Sequence, residues 1–342
     1  MSNKDIRVGL LAYGAIGDEH NKALLATDGM VLRAVCDTNP ERLDVALKIA
    51  PDALTFSDAT AMLDSGEIDL VVVSTPPNSH YRWAKEALSR GIHVVLEKPM
   101  ALTTDECDEL MELAKNAGLL LVVYQNRRYD VDFLTMKKLI DGGEIGEVFH
   151  YESFVGGYSK PCAFWHSDAE VSGGAIFDWG SHFIDQIMAI VPEPVAFVSG
   201  LNQKRVWDHV TNADHAQVTI NFDGGVQATF INTDLAAARK PKFYVLGTKG
   251  ALVGNWDESG DGSVADLPAI ISLHREDGTN EVVAHVSTEP YSFHASLVKY
   301  LGDGTAMSVN AKQSRDVVAI MQAAEESALS NGSPVSPLLL RS

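Results

Sequence analysis

Five short apolar runs, separated by amphipathic stretches, fill the first 124 residues, and this alternation limits the fold more than any other feature. The runs are Ile6 to Ala12, Val31 to Cys36, Leu70 to Ser74, Ile92 to Leu96 and Leu119 to Tyr124. They are rich in Val, Ile and Leu and lack polar alternation, as strands buried on both faces require. Helical patterns lie between them at Ile16 to Thr27, Glu41 to Ala50, Ser57 to Asp64, His80 to Arg90 and Thr103 to Asn116. Ser57 and Thr103 read as N-caps, Gly91 and Gly118 as C-terminal stops. Strand and helix in strict turn predict a doubly wound parallel sheet of the Rossmann type.

After Gln125 the pattern changes. A helix from Val131 to Ile140 ends at Asp141-Gly142-Gly143, and Glu147 to Val155 reads as a strand. Gly173-Gly174 is expected to open a helix running to Ile190, which Pro192 and Pro194 end. Ala213 to Phe222 and Val226 to Thr233 alternate around Asp223-Gly224-Gly225, a hairpin signal. Lys242 to Leu246 and Ala251 to Val253 add strands, Asp257 to Ser263 reads as a loop, and Val317 to Ser330 as a closing helix. Consecutive strands with few helices predict an antiparallel sheet, hence an α+β second domain. At about 150 residues per domain the length of 342 also predicts two. The expected division is a dinucleotide-binding domain over 1–124 and a substrate domain over 125–342.

With 27 Lys and Arg against 46 Asp and Glu, the formal charge is −19. That excess disfavours partners read through phosphates, namely nucleic acid and anionic membrane surfaces. A small anionic cofactor is not excluded, because a helix N-terminus can hold it locally. Three cysteines with no CxxC make neither a disulfide framework nor a Cys-type zinc site. No HExxH or similar spacing argues for a metal. The run Val8 to Ala12 is too short for a signal segment, and no stretch reaches membrane-span length. The expectation is a cytoplasmic protein.

The first candidate site is Ala12-Tyr13-Gly14-Ala15-Ile16-Gly17, between the first strand and its helix. It matches G-x-G-x-x-G except that Ala12 replaces the first glycine. Gly14 lets the backbone approach a pyrophosphate, and Gly17 lets helix and strand pack closely. Asp37 ends the second strand 20 residues beyond Gly17, near the spacing of a ribose-binding acid. A carboxylate there accepts from a 2′-hydroxyl and repels a 2′-phosphate, which favours NAD over NADP. Arg42 opposes that choice, since it could reach a phosphate. The competing reading is a ligand-free turn with Asp37 capping the next helix.

Further candidates follow at strand ends. Ser74-Thr75-Pro76-Pro77-Asn78-Ser79-His80 is expected to line the cofactor, with Ser74, Thr75, Pro76 and Asn78 nearest and His80 as a structural helix start. Glu97-Lys98-Pro99 follows the fifth strand, where such sheets open their ligand crevice. Lys98 can donate to a substrate hydroxyl; the sequence leaves the isomer of Pro99 open. Asp178, Gly180, His182 and Asp185 fall in one expected helix, with Asp178 and His182 four apart on one face. A carboxylate one turn away can orient a histidine and stabilise its protonated form. With a reference pKa of about 6.5, His182 suits proton exchange at neutral pH better than a lysine. Gly180 inside a helix suggests close approach by a cofactor or backbone. Tyr158, Trp165 and His166 are loop residues that could line a polyol site. Asn126 and Arg127, at the mouth of the crevice, are candidates for substrate contact, although a solvated basic pair reads Arg127 and Arg128 equally well.

In this order, the AYGAIG turn, Asp37, STPPNSH at 74–80, EKP at 97–99 and DWGSH at 178–182 resemble the Gfo/Idh/MocA oxidoreductases, the glucose-fructose oxidoreductase and inositol dehydrogenase family. YQNRRYDVDFLTMKKLI at 124–140 with FDWGSHFIDQ at 177–186 is similar to its scyllo-inositol dehydrogenase branch, which uses NADP; Asp37 departs from that branch. The resemblance covers essentially the whole chain. It implies a Rossmann domain, a C-terminal α/β domain with an open, mostly antiparallel sheet, and homo-oligomers, dimers or tetramers, packed through that sheet. It implies Lys98, Asp178 and His182 as the catalytic group and sugars or cyclitols as substrates. The expected reaction is hydride transfer between a nicotinamide and a secondary alcohol. Two alternatives stay open: a redox-neutral enzyme that retains NAD and acts on a glycoside through a keto intermediate, and an NAD-binding regulator without turnover.

Overall fold

The computed structural model describes residues 5–258 and 267–340. In the N-terminal part β1 (Ile6–Leu11), β2 (Met30–Cys36), β3 (Leu54–Phe56), β4 (Leu70–Val73), β5 (His93–Leu96) and β6 (Leu121–Val123) form a parallel sheet in the order β3-β2-β1-β4-β5-β6. The crossovers are α1 (Ala15–Leu25), α2 (Pro40–Ile49), α3 (Ala59–Asp64), α4 (His80–Ser89) and α5 (Thr104–Ala117). Chain order reverses between β1 and β4, so a crevice for ligand lies at the carboxyl ends of those strands. Leu10, Leu70, Val71, Val94 and Val95 are fully buried, which is why these strands read as unbroken apolar runs. Each such side chain contributes about 1.5–3 kcal/mol relative to exposure.

The helix signals are met in part. Thr103 caps α5 in a reciprocal capping box with Glu106, and Gly118 ends it in the left-handed region at φ +65°. Ser57 does not cap α3; Asp58 does, its carboxylate accepting from the Ala61 amide at 2.7 Å. A carboxylate one residue closer to the first turn wins the role. The edge strand β3 was not expected, because three residues are too few for a periodic signal.

The second part contains α6 (Val131–Asp141), β7 (Val148–Gly156), α7 (Ala169–Ser172), α8 (Gly180–Ile190), β8 (Val195–Gln203), β9 (His215–Phe222), β10 (Gln227–Thr233), β11 (Phe243–Gly247), β12 (Gly250–Asn255), β13 (Ile270–Arg275) and β14 (Asn280–Val282). They build an eight-stranded sheet in the order β14-β13-β12-β11-β7-β10-β9-β8. Its pairings are antiparallel except β7 with β10. The hairpin β9–β10 turns where Asp223-Gly224-Gly225 predicts, with Gly225 at φ +84°. Of the expected loop at 257–263, residues 259–263 lie outside the described residues. The chain closes with α9 (Ser292–Asp303) and α10 (Ala311–Leu329).

The helix expected from Gly173 begins only at Gly180. Gly173 (φ +90°) and Gly174 (φ +116°) take positive-φ conformations that end α7 instead of opening a helix. Asp178 therefore stands in the turns before α8, while His182 is in its first turn. The contact that Gly180 permits is with the sheet: a Cβ there would lie 3.3 Å from Phe230 and 3.0 Å from Ile176. Phe183, one turn on, stacks on Phe230 with ring centroids 5.5 Å apart.

The chain divides into two compact units. The first takes residues up to Gln125 together with Glu289–Arg315, and the second Asn126–Thr288 with the residues from Asp316 onward. The return of 289–315 to the first unit is a feature that a single boundary after Tyr124 does not contain. Among the described residues no helix is long and apolar enough to cross a membrane.

Candidate active site

In the first unit the glycine turn sits at the carboxyl end of β1. Ala12, where the motif has glycine, adopts φ +73°. An L-residue in that region costs about 1–2 kcal/mol, which explains the usual glycine and marks Ala12 as tolerated strain. Gly14 is the N-cap of α1, with no side-chain cap bond. A Cβ on Gly14 would meet nothing within 4 Å, whereas one on Gly17 would lie 3.1 Å from the Ala12 carbonyl. The two glycines thus differ in purpose: Gly17 lets the helix pack, and Gly14 leaves open space over the amides that begin α1 at Ala15 and Ile16. An uncapped helix N-terminus beside open space is suited to a pyrophosphate. Tyr13 is buried below the turn, its hydroxyl accepting from Asn21 at 2.8 Å and donating to Asp18 at 3.2 Å.

Asp37 ends β2 with its carboxylate oxygens accepting from the Tyr13 and Asn39 amides, each at 2.8 Å. It does not cap α2; Asn39 does. Asp37 is 4% exposed, and the half-exposed Arg42 reaches to 3.5 Å from it. The residues fit a dinucleotide: free amides for phosphate, and an acid fixed by two backbone donors with lone pairs left for a ribose diol.

The β4 end is tied to the same turn. Ser74 Oγ donates to the Ala12 carbonyl at 3.1 Å. Pro76 and Asn78 belong to the short turn that leads into α4, and Thr75 Oγ1 accepts from Ser79 at 2.7 Å. His80 is buried with Nδ1 2.7 Å from the Pro99 carbonyl and Nε2 2.8 Å from the Thr75 carbonyl; burial pushes its pKa down. It braces two loops, as a structural helix-start residue does. Lys98 and Pro99 are joined by a cis peptide bond. Glu97 faces inward: its carboxylate accepts from the Lys98 amide at 3.2 Å and lies 3.0 Å from His20 Nε2. His20 Nδ1 lies 3.2 Å from His294 Nε2 on α9, and burial together with His20 lowers the His294 pKa to about 3. A histidine held neutral can donate toward His20, which can donate to Glu97. Sequence patterns missed this chain because His20 and His294 are 274 residues apart.

In the second unit, His182 is 6% exposed, with its ring centroid 6.0 Å from that of Trp179. The arginines before α6 are not a solvated pair. Arg128 forms a two-point ion pair with buried Asp185, both contacts 2.6 Å, and Arg127 lies over the Trp179 ring at 4.9 Å and pairs with Asp130 at 3.2 Å. Asn126 opens the short turn that carries them. Asp185 is thereby committed to Arg128 and does not extend an Asp178–His182 face.

A cavity of about 450 Å³ in this unit is lined by His166, Asp178, Trp179, Asn212, Asn232 and Asp234 among others. It brings two expected residues, His166 and Asp178, together. Trp165 lies outside it, stacked on His166 at 3.6 Å and lining a neighbouring hollow with Phe164 and His209. Tyr158 is 60% exposed and packs edge-on to Trp207. Sequence patterns missed Asp234, Asn232 and Asn212: Asn212 lies just before β9 and Asp234 just after β10, and Asn232 is a polar residue on a paired strand, where alternation marks a face and not a cavity. Behind them Asp214 accepts from the Arg205, Val206 and Trp207 amides at 2.6–3.1 Å and from Lys204 at 2.9 Å, which holds its carboxyl well below the ordinary range and pins the loop.

Residues 6–125 match the model of an oxidoreductase family with an NAD-binding Rossmann fold, and residues 133–253 match the GFO/IDH/MocA C-terminal domain. The chain is 28% identical to the NADP-dependent scyllo-inositol 2-dehydrogenase IolW of Bacillus subtilis, over 94% of this chain and 93% of that one. It is 32% identical to the uncharacterized oxidoreductase YdgJ of Escherichia coli over 73% of this chain and 71% of that one. The solved structure of the oxidoreductase yvaA of Bacillus subtilis superposes with a TM-score of 0.87 at 26% identity, covering all of both chains. With the reversal of strand order after β1, the uncapped glycine turn and the mixed eight-stranded sheet in place, these matches carry one conclusion: the chain belongs to the Gfo/Idh/MocA family of NAD(P)-binding oxidoreductases.

Proposed function

We propose that this protein oxidises a secondary alcohol of a sugar or cyclitol, reversibly, with NAD in preference to NADP. What supports the reading is that the chain carries proton-transfer residues as well as a dinucleotide turn: Lys98 after β5, and Asp178 with His182 around the start of α8. A regulator that only sensed the cofactor would need none of these groups. Bound nicotinamide would supply the hydride acceptor. The amides of the α1 N-terminus would hold the pyrophosphate, Ser74 and the Thr75–Asn78 segment would flank it, and Asp37 would take the ribose hydroxyls.

In this reading His182 accepts the hydroxyl proton as the alcohol is oxidised. Lys98 supplies positive charge to the same oxygen and stabilises developing alkoxide. Asp178 orients the imidazole and favours its protonated form. Asn126, Arg127, Tyr158, Trp165 and His166 complete the substrate surface, and copies of the chain pair in the cytoplasm through the open face of the eight-stranded sheet. A screen of inositols and hexoses with NAD and NADP in parallel, followed at 340 nm, tests the proposal. Lys98→Ala and His182→Ala should each cut turnover by about 10²-fold or more while NADH still binds, the range typical of lost acid-base groups. Full activity in either variant refutes its assignment, and preference for NADP refutes the role of Asp37.

A further inference from the structure

The cavity of the second unit has an unbalanced supply of hydrogen-bonding groups. Both asparagines on its wall turn their side-chain nitrogens into the protein. Asn212 Nδ2 donates to the His166 carbonyl at 2.7 Å and to Ser172 at 3.1 Å, and Asn232 Nδ2 donates to the Ala175 carbonyl at 2.8 Å. An amide anchored through its nitrogen turns its oxygen the other way; the Asn212 oxygen keeps one long bond, from the Ser172 hydroxyl at 3.4 Å, and has a lone pair left for a ligand. Asp234 adds a carboxylate, and among the described residues no donor reaches its oxygens. Its backbone is fixed on both sides: its amide donates to the Asp214 carbonyl at 2.9 Å, and its carbonyl accepts from the Ser159 amide at 3.3 Å. The carboxylate is thus aimed and idle. Asp178 is a second carboxylate on the same wall, while Lys160, the cavity's lysine, is exposed.

We propose that Asp234 binds ligand hydroxyls directly, and that this acceptor-rich cavity selects a neutral, donor-rich polyol ring over a sugar acid. The inference rests on the proposed dehydrogenase function, takes this cavity, which His166 and Asp178 line, as part of its substrate site, and narrows the substrate class. A vicinal diol offers two O–H donors to one carboxylate, in charge-assisted bonds stronger than neutral ones. A uronate or aldonate would bring a further acceptor and a negative charge toward Asp234 and Asp178. Burial and the neighbouring Asp214 raise the Asp234 carboxyl to about 6, with Lys204 opposing. Asp178, His166, Lys160 and the free thiol of Cys162 are the other charged or titratable groups that line the cavity. At pH 8 Asp234 is ionised, an acceptor only; near pH 5 it is protonated and can donate.

The test uses the full chain with NAD or NADP at pH 8 and five probes: myo-inositol, scyllo-inositol, D-glucose, D-gluconate and D-glucuronate. The wild type should oxidise at least one neutral ring with kcat/KM tenfold or more above either acid. Asp234→Asn, which keeps shape and relieves the repulsion from Asp214, should fold with an unchanged or higher Tm. It should raise KM at least tenfold with a smaller change in kcat, and shrink the neutral-to-acid ratio at least fivefold. Wild-type turnover with an unchanged KM and ratio in Asp234→Asn overturns the inference and leaves the dehydrogenase reading standing. If no probe is oxidised, that reading fails, and binding decides the inference. A Tm rise with myo-inositol that is lost in Asp234→Asn supports it, and no rise with any neutral probe overturns it.

Discussion

Removing Arg128 should cost this protein far more than removing a surface charge. Arg128 and Asp185 meet through two contacts of 2.6 Å, and their side chains are 9% and 2% exposed. An exposed ion pair is worth about 0–1 kcal/mol. Truncating one member of a buried pair instead strands a charge away from water and costs about 3–5 kcal/mol. The pair joins the short turn Asn126–Tyr129 to α8, the helix whose first turn carries His182, so its loss also loosens the proposed base. Arg128→Met is the perturbation, Asp185→Leu its counterpart, and the double variant the control. An apolar pair can fill a buried ionic site with little loss, so the double variant should recover most of the stability.

The pH dependence has a definite sign. Burial raises the Asp185 carboxyl, and Arg128 opposes the rise. Without Arg128 the folded pKa climbs further. A raised folded pKa stabilises the folded state below the unfolded value, about 4 for Asp, and that stability is lost as pH rises through the folded value. Arg128→Met should therefore be weaker at pH 8 than at pH 5, with a steeper decline than the wild type. Urea unfolding followed by tryptophan fluorescence reads this unit well, because Trp165, Trp179, Trp207 and Trp256 all lie in it and only Trp83 does not. A loss under about 1 kcal/mol at pH 8 in Arg128→Met, or a double variant no better than the singles, would refute the idea that the pair is desolvated.

Two predictions concern the dinucleotide turn. Gly14→Val should cost only about 1 kcal/mol, the loss of a favourable N-cap residue, because its Cβ meets nothing within 4 Å. It should nonetheless weaken NADH at least tenfold by fluorescence titration; unchanged affinity would mean that the open space is not where the phosphates lie. Asp37→Ser should lower the NAD-to-NADP ratio of kcat/KM, and also lower stability by about 1–3 kcal/mol because the Tyr13 or Asn39 amide loses its acceptor. A ratio that does not move would remove Asp37 from cofactor choice.

What could be read from sequence was what neighbouring residues decide among themselves. The strands β1, β4 and β5 are buried on both faces and read as apolar runs; the glycine turn with Asp37, and separately the Thr103–Glu106 cap, each involve residues close together in sequence. The second unit was harder because its decisive contacts are remote. Arg128 and Asp185 are 57 residues apart, so a buried pair looked like a solvated basic stretch. The start of α8 was misplaced because a Gly-Gly pair signals either a helix entry or a left-handed stop, and only the backbone distinguishes them. Asp234 was invisible for another reason: its meaning depends on two asparagines whose side-chain nitrogens bond to backbone elsewhere in the unit.

The net charge of −19 takes on a different sense in the light of these two sites. An acidic protein that binds an anionic dinucleotide must counter the phosphates locally, and here the α1 N-terminus, without a side-chain cap and with open space over Gly14, can do so with backbone amides alone. No cationic side chain is required at the turn, so overall composition and cofactor choice are not in conflict. The cavity of the second unit does the opposite. Beside the Trp179 indole and the Ser167 hydroxyl, its half-buried lining holds two carboxylates and two amide groups, so negative charge is kept where a ligand would touch it. On the proposed function, two recognition problems are separated by chemistry: donors for a ligand that brings charge, and acceptors for a ligand that brings hydroxyls. A sugar acid is suited to neither surface, and that is why the comparison of gluconate with myo-inositol weighs more heavily than a longer list of neutral sugars.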